Sequence, residues 1–489
     1  MPIHKLLVAN RGEIAARIVR TARARGLAVA VLRHRNELTG SAHLIADEVV
    51  EVEGPTPVAA YLDIDQIVAA ARRVCADAVH PGYGFLAENA AFVRALDAAG
   101  IMFVGPTEDV IDLMGDKVRA RAFVAERGFP VAPAAIEDDD PTNFVERARV
   151  VGFPLLIKPS AGGGGKGMRV VREDASLEAE IETARREGKR YFGDGRLFAE
   201  RYIERPRHIE VQVVGDGRGN VVHCWERECS IQRRFQKIIE ETPSPALNPE
   251  QRAEICKTAA GIARAVNYRG AGTVEFIYAP DGAFYFLEMN TRLQVEHPVT
   301  EMVTGIDLVA EQLRIAAGGG LSHAQAEIRQ TGHAIELRIC AEDASADFRP
   351  AIGEVLLMEE PQGPGVRVDS GILEGSKVAT DFDPMLAKLI VHGPDRAAAI
   401  ARARAAVQDY VILGVTTNTG YLDAILAHPR FLAGDVSTGF LAEEAPVLTA
   451  PGDDVTDILL AAAALSDVRL VRAVDEIPEM HRLMGAWRN

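Results

Sequence analysis

Lysine is scarce in this chain, and cysteine is scarce as well. Only nine of the 54 basic residues are lysine, so arginine supplies the other 45. The five cysteines show no metal-finger spacing, and the nearest pair, Cys224 and Cys229, falls in a predicted strand. We therefore expect buried, reduced thiols, and we treat each retained lysine as a candidate for a specific role.

The chain also lacks a run of apolar residues long enough to span a membrane. The first residues lead directly into a strand-like stretch without the pattern of a signal peptide. The formal net charge of −16 leaves no excess of basic residues for binding a nucleic acid. These absences predict a cytoplasmic protein that has neither a membrane nor a nucleic acid as a partner.

The N-terminal part of the chain predicts a parallel α/β sheet. Short apolar runs alternate there with helical patterns, which is typical of that fold class. The predicted strands cover residues 5–9, 28–32, 48–52, 77–80 and 101–104. Asn10 to Glu13 predict a tight strand-to-helix turn, because the glycines of a dinucleotide fingerprint are missing. The 489 residues are too many for one core, and we expect about three domains.

Further regions follow this sheet. Residues 130–150 are rich in proline and aspartate and predict a linker or an exposed loop, and a second unit begins near residue 153. From residue 197 to about residue 391 strands dominate, which predicts an antiparallel-rich unit. Helices are predicted at 249–266, 305–317 and 397–407.

Four consecutive glycines, Gly162 to Gly165, interrupt the second unit. Because glycine has no side chain, such a loop can close over a polyphosphate with its N–H groups pointing inward. It is not a Walker A loop, since Lys166 is followed by Gly167 rather than by serine or threonine. A phosphate lid and a flexible connector both fit this run.

Two strands that flank a Pro280-Asp281-Gly282 turn predict a hairpin with facing carboxylates. Folded about this turn, Glu275 lies opposite Glu288, and Asn290 shares the face of Glu288. Facing carboxylates repel each other unless a cation lies between them, and all-oxygen ligands favour Mg²⁺. The alternative is a pair of solvated glutamates on an exposed face.

If the chain stays extended beyond the hairpin, Arg292, Gln294 and Glu296 project from the same face as Glu288 and Asn290. A guanidinium and a further carboxylate beside metal ligands suit a small anion next to a metal-bound phosphate. A structural ladder of salt bridges is the alternative.

Several sequence strings together resemble the signatures of biotin carboxylases. They are residues 80–89 (HPGYGFLAEN), 114–117 (MGDK), 227–234 (RECSIQRR), 268–273 (YRGAGT), 288–301 (EMNTRLQVEHPVTE) and 383–388 (DPMLAK). The resemblance extends in order from residue 3 to about residue 446. Lys117, Lys158 and Lys237 match lysines of the family, which agrees with their retention in a lysine-poor chain.

The resemblance implies a mixed α/β and α+β architecture, the three-domain ATP-grasp fold. It comprises an N-terminal parallel α/β domain, a region with a mobile glycine-rich lid, and an antiparallel-rich C-terminal domain. The implied bounds are 1–115, 116–315 with the lid at about 135–203, and 330–446, followed by a tail of unknown role at 447–489.

The resemblance also implies a reaction in which MgATP, with Mg²⁺ or Mn²⁺, converts bicarbonate to carboxyphosphate, and biotin is then carboxylated. By this resemblance Lys117 and Lys158 bind the ATP phosphates, and Gly164 and Gly165 close the lid. The implied nucleotide pocket contains Glu200, Arg201, Tyr202, Ile203, His208, Gln232 and Ile277. The implied metal ligands are Glu275, Glu288 and Asn290.

The implied bicarbonate site contains Lys237, Arg292, Gln294 and the backbone of Val295. Glu296 is expected to take the proton of bicarbonate, and Arg338 to stabilise negative charge on biotin or carboxyphosphate. The chain departs from the family pattern at Phe235, where a nucleotide-contacting histidine is expected.

No lysine follows Lys388 and no Met-Lys-Met acceptor is present, so biotin is expected on a separate carrier. The implied partners are a biotin carboxyl carrier protein and a carboxyltransferase subunit, and the implied assembly is a homodimer. Whether the final acceptor is an acyl-CoA or pyruvate is left open.

Two alternatives to this function are another ATP-grasp ligase and a catalytically weak nucleotide-binding scaffold. The tail, with its apolar run at 458–465, is hypothesised to dock a partner.

Overall fold

A parallel sheet forms the N-terminal part of the protein. The structure is a computed structural model that describes residues 2–35, 37, 40–137, 141–159, 168–192 and 195–449. The sheet contains β1 (Lys5–Val8), β2 (Ala28–His34), β3 (Glu48–Val52), β4 (Ala78–His80) and β5 (Met102–Phe103), in the order β3-β2-β1-β4-β5. All its strand pairs are parallel, as predicted, and β1 and β4 are almost wholly buried because both faces of the sheet are covered.

Six helices accompany this sheet: α1 (Gly12–Ala24), α2 (Ser41–Ile45), α3 (Pro57–Tyr61), α4 (Ile64–Arg73), α5 (Ala90–Ala98) and α6 (Glu108–Gly115). The turn from β1 into α1 is tight, as predicted. Buried Asn10 donates through Nδ2 to the carbonyls of Pro81 and Tyr83, at 2.7 Å each. These bonds join the start of α1 to the loop that follows β4.

A four-stranded antiparallel sheet follows α7 (Lys117–Glu126). It contains β6 (Ala134–Ile136), β7 (Leu155–Pro159), β8 (Arg169–Val171) and β9 (Leu197–Arg201), in the order β6-β9-β7-β8. Two helices, α8 (Phe144–Val151) and α9 (Asp174–Phe192), share its core. The prediction of a linker or exposed loop at 130–150 is therefore wrong for the described part of this stretch, because β6 and α8 lie there and bury apolar side chains such as Phe144. The four consecutive glycines of the predicted lid, Gly162 to Gly165, lie outside the described residues.

The largest sheet has eight antiparallel strands. They are β10 (Arg207–Asp216), β11 (Val221–Arg233), β12 (Gln236–Thr242), β13 (Arg269–Tyr278), β14 (Phe284–Asn290), β15 (His333–Cys340), β20 (Val366–Ser370) and β22 (Met385–Gly393), in the order β14-β13-β10-β11-β12-β15-β22-β20. The pairing of β12 with β15 continues the sheet across the boundary predicted between 315 and 330. Side chains from both sides of that boundary therefore share one face.

Smaller strands and helices complete the described residues. The short pairs are β16 (Glu342–Asp343) with β17 (Arg349–Pro350), β18 (Gly353–Glu354) with β21 (Lys377–Val378), and β19 (Leu357–Glu359) with β23 (Val411–Leu413). The helices are α10 (Pro249–Ala265), α11 (His297–Thr304), α12 (Leu308–Ala316), α13 (Arg396–Asp409), α14 (Thr419–Ala427), α15 (Pro429–Leu432), α16 (Phe440–Glu443) and α17 (Ala445–Leu448). Single 3-10 turns lie at Pro141–Asn143, Gln325–Glu327 and Ala344–Ala346.

The cysteines are free, and three of the five are buried as predicted. Burial raises the pKa of the Cys224 thiol to about 12, so this thiol stays protonated at neutral pH. Cys75 contradicts the prediction, because it is exposed. Among the described residues, no helix combines the length and the apolar character needed to cross a bilayer.

Gly272 in β13 gives a test of the packing of the large sheet. A methyl group at this position would lie 2.4 Å from Cζ of the fully buried Tyr268. We expect Gly272→Ala to lower stability by about 1–3 kcal/mol, because the ring has no room to move. The measurement is the midpoint of thermal unfolding followed by circular dichroism.

The matched control is Gly420→Ala, at an exposed position of α14 where an added methyl meets nothing within 4 Å. Alanine is the better helix former, so this change should be neutral or stabilise by up to about 1 kcal/mol. Equal midpoints for the two variants would contradict the tight packing at Gly272.

Candidate active site

Two carboxylates face each other across the β13–β14 hairpin. Glu275 pairs with Glu288 in the strand register, as the turn predicted. Asn290 donates through Nδ2 to Glu275 Oε1 at 2.8 Å, so the amide lies beside the same carboxylate. Glu275 is buried whereas Glu288 is partly exposed, so the hairpin presents oxygen atoms to an open edge of the site.

Two lysines and a histidine approach this pair of carboxylates. Lys117 Nζ lies 2.9 Å from Glu288 Oε2, and Lys237 Nζ lies 2.9 Å from Glu275 Oε1. His208 Nε2 lies 2.9 Å from Glu275 Oε2. Burial alone would raise the pKa of the Glu275 carboxyl, but Lys237 and His208 hold it well below its usual range.

The donor set of the hairpin fits a hard divalent cation. The carboxylates of Glu275 and Glu288 and the side-chain oxygen of Asn290 are all-oxygen ligands, the type that Mg²⁺ prefers. The Lys117 ammonium, held against Glu288, shows that positive charge is accommodated there. Two other groups of close ligand atoms, His208-Glu210-Glu275 and Glu210-Cys229-Glu296, occur among the described residues. Both share carboxylates with Lys237, whose ammonium already offsets their charge.

Lys237 on β12 connects three buried carboxylates. Its ammonium lies 2.5 Å from Glu210 Oε2, 2.9 Å from Glu275 Oε1 and 2.7 Å from Glu296 Oε1. Burial alone would lower the pKa of Lys237, but these three neighbours raise it well above its usual value. The lysine therefore stays charged although its side chain is almost completely enclosed.

The chain between Asn290 and Glu296 is not extended, so the predicted single row of side chains is wrong. β14 ends at Asn290, and Glu296 caps α11 with φ −82° and ψ 9°. Leu293 is fully buried, and Pro298 stands in the first turn of α11, a position that proline favours. The residues nevertheless converge, because Gln294 folds back and donates to Glu275 Oε1 at 2.6 Å.

Glu296 lies between two cations. Lys237 contacts one carboxylate oxygen, and Arg338 on β15 donates to the other at 3.0 Å. Burial would raise the pKa of Glu296, but Lys237, Arg338 and Arg227 hold it well below its usual range. Arg338 also lies 2.5 Å from Glu240 Oε1, and burial raises the pKa of Glu240 to about 7 despite that contact.

Arg227 is the central residue that sequence reasoning did not assign a role. Its guanidinium is fully buried and donates to side chains of five residues, which are Glu210 (2.5 Å), Gln294 (2.6 Å), Gln212 (2.8 Å), Thr300 (3.0 Å) and Thr273 (3.1 Å). Arg227 thus orients Glu210, which binds Lys237, and Gln294, which binds Glu275. The sequence contained it within a family string, but only the fold shows which groups it joins.

Arg292 is held at the rim of the site. It donates to Asn290 Oδ1 at 2.9 Å and to Glu88 Oε2 at 2.9 Å. Glu88 also accepts from the backbone N–H of Thr291 at 2.9 Å. Glu88 was not predicted as a site residue, although it falls in a family string, because its partners are about two hundred residues away in sequence.

The residues predicted to bind the nucleotide lie on the four-stranded sheet, on the segment that leaves this sheet, and on the large sheet. Lys158 Nζ lies 2.6 Å from Glu200 Oε1 and 4.8 Å from the ring centre of Phe198. The Tyr202 N–H donates to the carbonyl of Pro154 at 2.8 Å. Arg201 ends β9, and Ile203 lies in the segment that leads into β10.

On the large sheet, the register pairs His208 with Ile277 and Gln232 with Lys237. These pairs bring Gln232 and Ile277 next to the charged cluster. Gly164 and Gly165 lie outside the described residues. Phe235 occupies the tip of the β11–β12 hairpin with φ +67° and is 75% exposed.

Models of protein families match almost the whole chain. A model described as the biotin carboxylase N-terminal domain matches residues 2–111, and one described as the biotin carboxylase C-terminal domain matches residues 336–443. Between them, residues 116–324 match the ATP-binding domain of the carbamoyl-phosphate synthase L chain.

Several known proteins are similar in sequence to this chain over most of their own length. The biotin carboxylase of Nostoc is 45% identical, over 91% of this chain and 99% of that protein. A pyruvate carboxylase subunit of Methanothermobacter thermautotrophicus is 45% identical, over 90% of this chain and 89% of that protein. The propionyl-CoA carboxylase alpha chain of Ruegeria pomeroyi is 42% identical, over 99% of this chain and 75% of that protein.

Solved structures that are similar to this chain are also biotin carboxylases. The biotin carboxylase domain of 2-oxoglutarate carboxylase from Hydrogenobacter thermophilus, a dimer in complex with MgADP, ADP and bicarbonate, has a TM-score of 0.85 and 43% identity over 92% of this chain and 100% of its own. Biotin carboxylase of Campylobacter jejuni has a TM-score of 0.84 and 40% identity over 90% of this chain and 99% of its own. Since the family matches run from residue 2 to residue 443, the chain belongs to the biotin carboxylase family of ATP-grasp ligases.

Proposed function

We propose that this chain carboxylates biotin with bicarbonate in an ATP-dependent reaction that passes through carboxyphosphate. This is the first half-reaction of an acyl-CoA or pyruvate carboxylase. The observation that carries the proposal is the position of Glu296, whose two oxygens contact the Lys237 ammonium and the Arg338 guanidinium. A carboxylate between two cations marks a place where an anion can bind beside a base.

The same cations control the basicity of Glu296. They hold the pKa of Glu296 well below its usual range, which makes it a weak base. A bicarbonate ion bound by Lys237, Arg292, Gln294 and the Val295 backbone shares their charge, and the pKa of Glu296 then rises. Glu296 therefore becomes basic enough to take the proton of bicarbonate only when bicarbonate is bound.

The ATP phosphates are proposed to bind at the end of the site formed by Lys117, Lys158 and the β13–β14 hairpin. Lys117 contacts Glu288 and Lys158 contacts Glu200, and in our proposal both lysines turn to the ATP phosphates when the nucleotide binds. Glu275, Glu288 and Asn290 would hold Mg²⁺ or Mn²⁺, which offsets charge on the transferring phosphoryl group. The remaining nucleotide contacts are assigned to Glu200, Arg201, Tyr202, Ile203, His208, Gln232 and Ile277.

In our proposal biotin binds at Arg338, whose guanidinium can stabilise negative charge that develops on the ureido oxygen. Biotin would arrive on a separate carrier protein and pass the carboxyl group to a carboxyltransferase subunit. We further propose a cytoplasmic homodimer with domains at 1–115, 116–315 and 330–446, and a mobile lid at about 135–203 that closes through Gly164 and Gly165.

The first test is bicarbonate-dependent ATP hydrolysis with and without free biotin. We expect biotin to stimulate hydrolysis by the wild-type chain. Replacing the base, Glu296→Ala, should reduce the stimulated rate by about 10²–10⁴-fold, because the proton of bicarbonate has no acceptor. The coupled release of ADP is the measurement.

Glu126→Ala is the matched control, because Glu126 is an exposed glutamate at the end of α7. It should keep the wild-type rate. Turnover that is indifferent to biotin but stimulated by ammonia would contradict the proposal and favour a ligase of the carbamoyl-phosphate synthase type. Intact ATP binding without any hydrolysis would favour a nucleotide-binding scaffold.

The metal assignment predicts a changed Mg²⁺ requirement. Glu288→Gln keeps the size of the side chain but removes one negative charge from the hairpin pair. We expect the Mg²⁺ concentration for half-maximal ATP hydrolysis to rise by about tenfold or more, since ligand charge dominates the affinity for a hard cation. The measurement is a Mg²⁺ titration at saturating ATP, and chelation of divalent ions should abolish hydrolysis.

Glu254→Gln serves as the control, because Glu254 is exposed on α10. An unchanged Mg²⁺ requirement in Glu288→Gln, or the same rise in both variants, would remove Glu288 from the metal site.

A further inference from the structure

Lys388 is a buried lysine to which the proposed chemistry gives no role. It is one of only nine lysines, and its side chain has no exposed surface. Burying an ammonium group is costly unless partners compensate its charge. A chain that uses arginine at 45 positions has kept lysine here, at a place on β22 where β15 and β20 flank it.

The partners of Lys388 connect three parts of the fold. Nζ donates to the backbone carbonyl of Val295 at 2.8 Å, lies 3.2 Å from Glu13 Oε2 on α1, and lies 4.0 Å from Asp369 Oδ2 on β20. The contact with Val295 reaches directly into the loop proposed to bind bicarbonate. The contact with Glu13 ties that loop to the N-terminal sheet region.

Two neighbouring peptide groups of the loop are fixed by side chains. His297 Nδ1 lies 2.7 Å from the carbonyl of Gln294, which belongs to the peptide group that carries the Val295 N–H. Lys388 holds the carbonyl of Val295, which belongs to the peptide group that carries the Glu296 N–H. Because a peptide group is planar, fixing its carbonyl also fixes the direction of its N–H. The backbone on both sides of Val295 is thereby oriented.

Glu13 keeps the ammonium in place. Tyr83, in the turn after β4, donates its hydroxyl to the other oxygen of Glu13. The charged groups that face Glu13 are Lys388 on β22 and Arg367 and Asp369 on β20. Burial raises the pKa of Glu13 to about 7, although Lys388 acts in the opposite direction. The ion pair between Glu13 and Lys388 therefore weakens as the pH falls through neutrality.

We propose that Lys388, held by Glu13, is a positioning residue for bicarbonate, because it fixes the peptide group between Val295 and Glu296. Lys388 does not touch the reacting atoms. It sets the geometry of the loop in which Val295 binds the anion and Glu296 takes its proton. The inference rests on the proposed function, and it assigns a role that Glu13 and Lys388 would not have as plain core residues.

The test measures the KM for bicarbonate and the KM for ATP separately in the full-length chain. We expect Lys388→Met to raise the KM for bicarbonate by about tenfold or more, since a displaced substrate contact costs about that factor, while the KM for ATP stays within about twofold. Lys377→Met, at an exposed position of β21, should leave both values unchanged. A lysine that only supports the fold would lower kcat or the yield of active protein without separating the two KM values.

Two further variants distinguish a loss of positioning from a loss of folding. The double variant Glu13→Gln, Lys388→Met removes both charges, so that no buried carboxylate at position 13 loses its partner, and it should show the same selective rise. Glu13→Gln alone keeps the size of the side chain and mimics the protonated carboxyl. Its KM for bicarbonate should exceed the wild-type value at pH 8, and the ratio of the two values should approach one at pH 6.

The outcomes separate this inference from the proposed function. A wild-type chain without bicarbonate-dependent ATP hydrolysis overturns the proposed function and the inference with it. An active wild-type chain overturns only the inference if the folded variants retain the wild-type KM for bicarbonate. The inference also fails if the ratio for Glu13→Gln is the same at pH 6 and pH 8.

Discussion

The ammonium group of Lys237 is the interaction on which the rest of the site depends. It lies within 3 Å of Glu210, Glu275 and Glu296, and its positive charge offsets the repulsion between these three buried carboxylates. Removing one partner of a buried ion cluster typically costs about 3–5 kcal/mol, because the remaining charges are left uncompensated. Arg227 adds a second buried cation behind the cluster, and its hydrogen bond to Glu210 fixes the direction of that carboxylate.

This cluster exists because one antiparallel sheet continues through two regions of sequence. β13 and β10 bring Glu275 and Glu210, β12 brings Lys237, and the neighbouring β15 brings Arg338. The metal end and the biotin end of the proposed site are therefore built on a single rigid element. Rigid strands hold charged groups at fixed distances, which preorganises the site for charge that develops during a reaction.

The cations assigned to substrates all form ion pairs with carboxylates of the protein. Lys117 contacts Glu288, Lys158 contacts Glu200, and Lys237 contacts Glu296. In the proposed reaction, anionic substrates therefore exchange one set of ion pairs for another. Such an exchange favours anions that bind several of these cations together, since each ion pair that is lost must be replaced.

The sequence by itself determined the parallel N-terminal strands, the β13–β14 hairpin and the residue types of the site, but it missed β6 and α8. Strand periodicity and the Pro280-Asp281-Gly282 turn placed Glu275 opposite Glu288, and the family resemblance named Lys237, Glu296 and Arg338. The tertiary structure alone decided that the chain turns after Asn290, since burial of Leu293 overrides strand alternation. It also decided the partners of Arg227, Glu88 and Lys388, because these contacts join residues far apart in sequence and leave no local pattern to read.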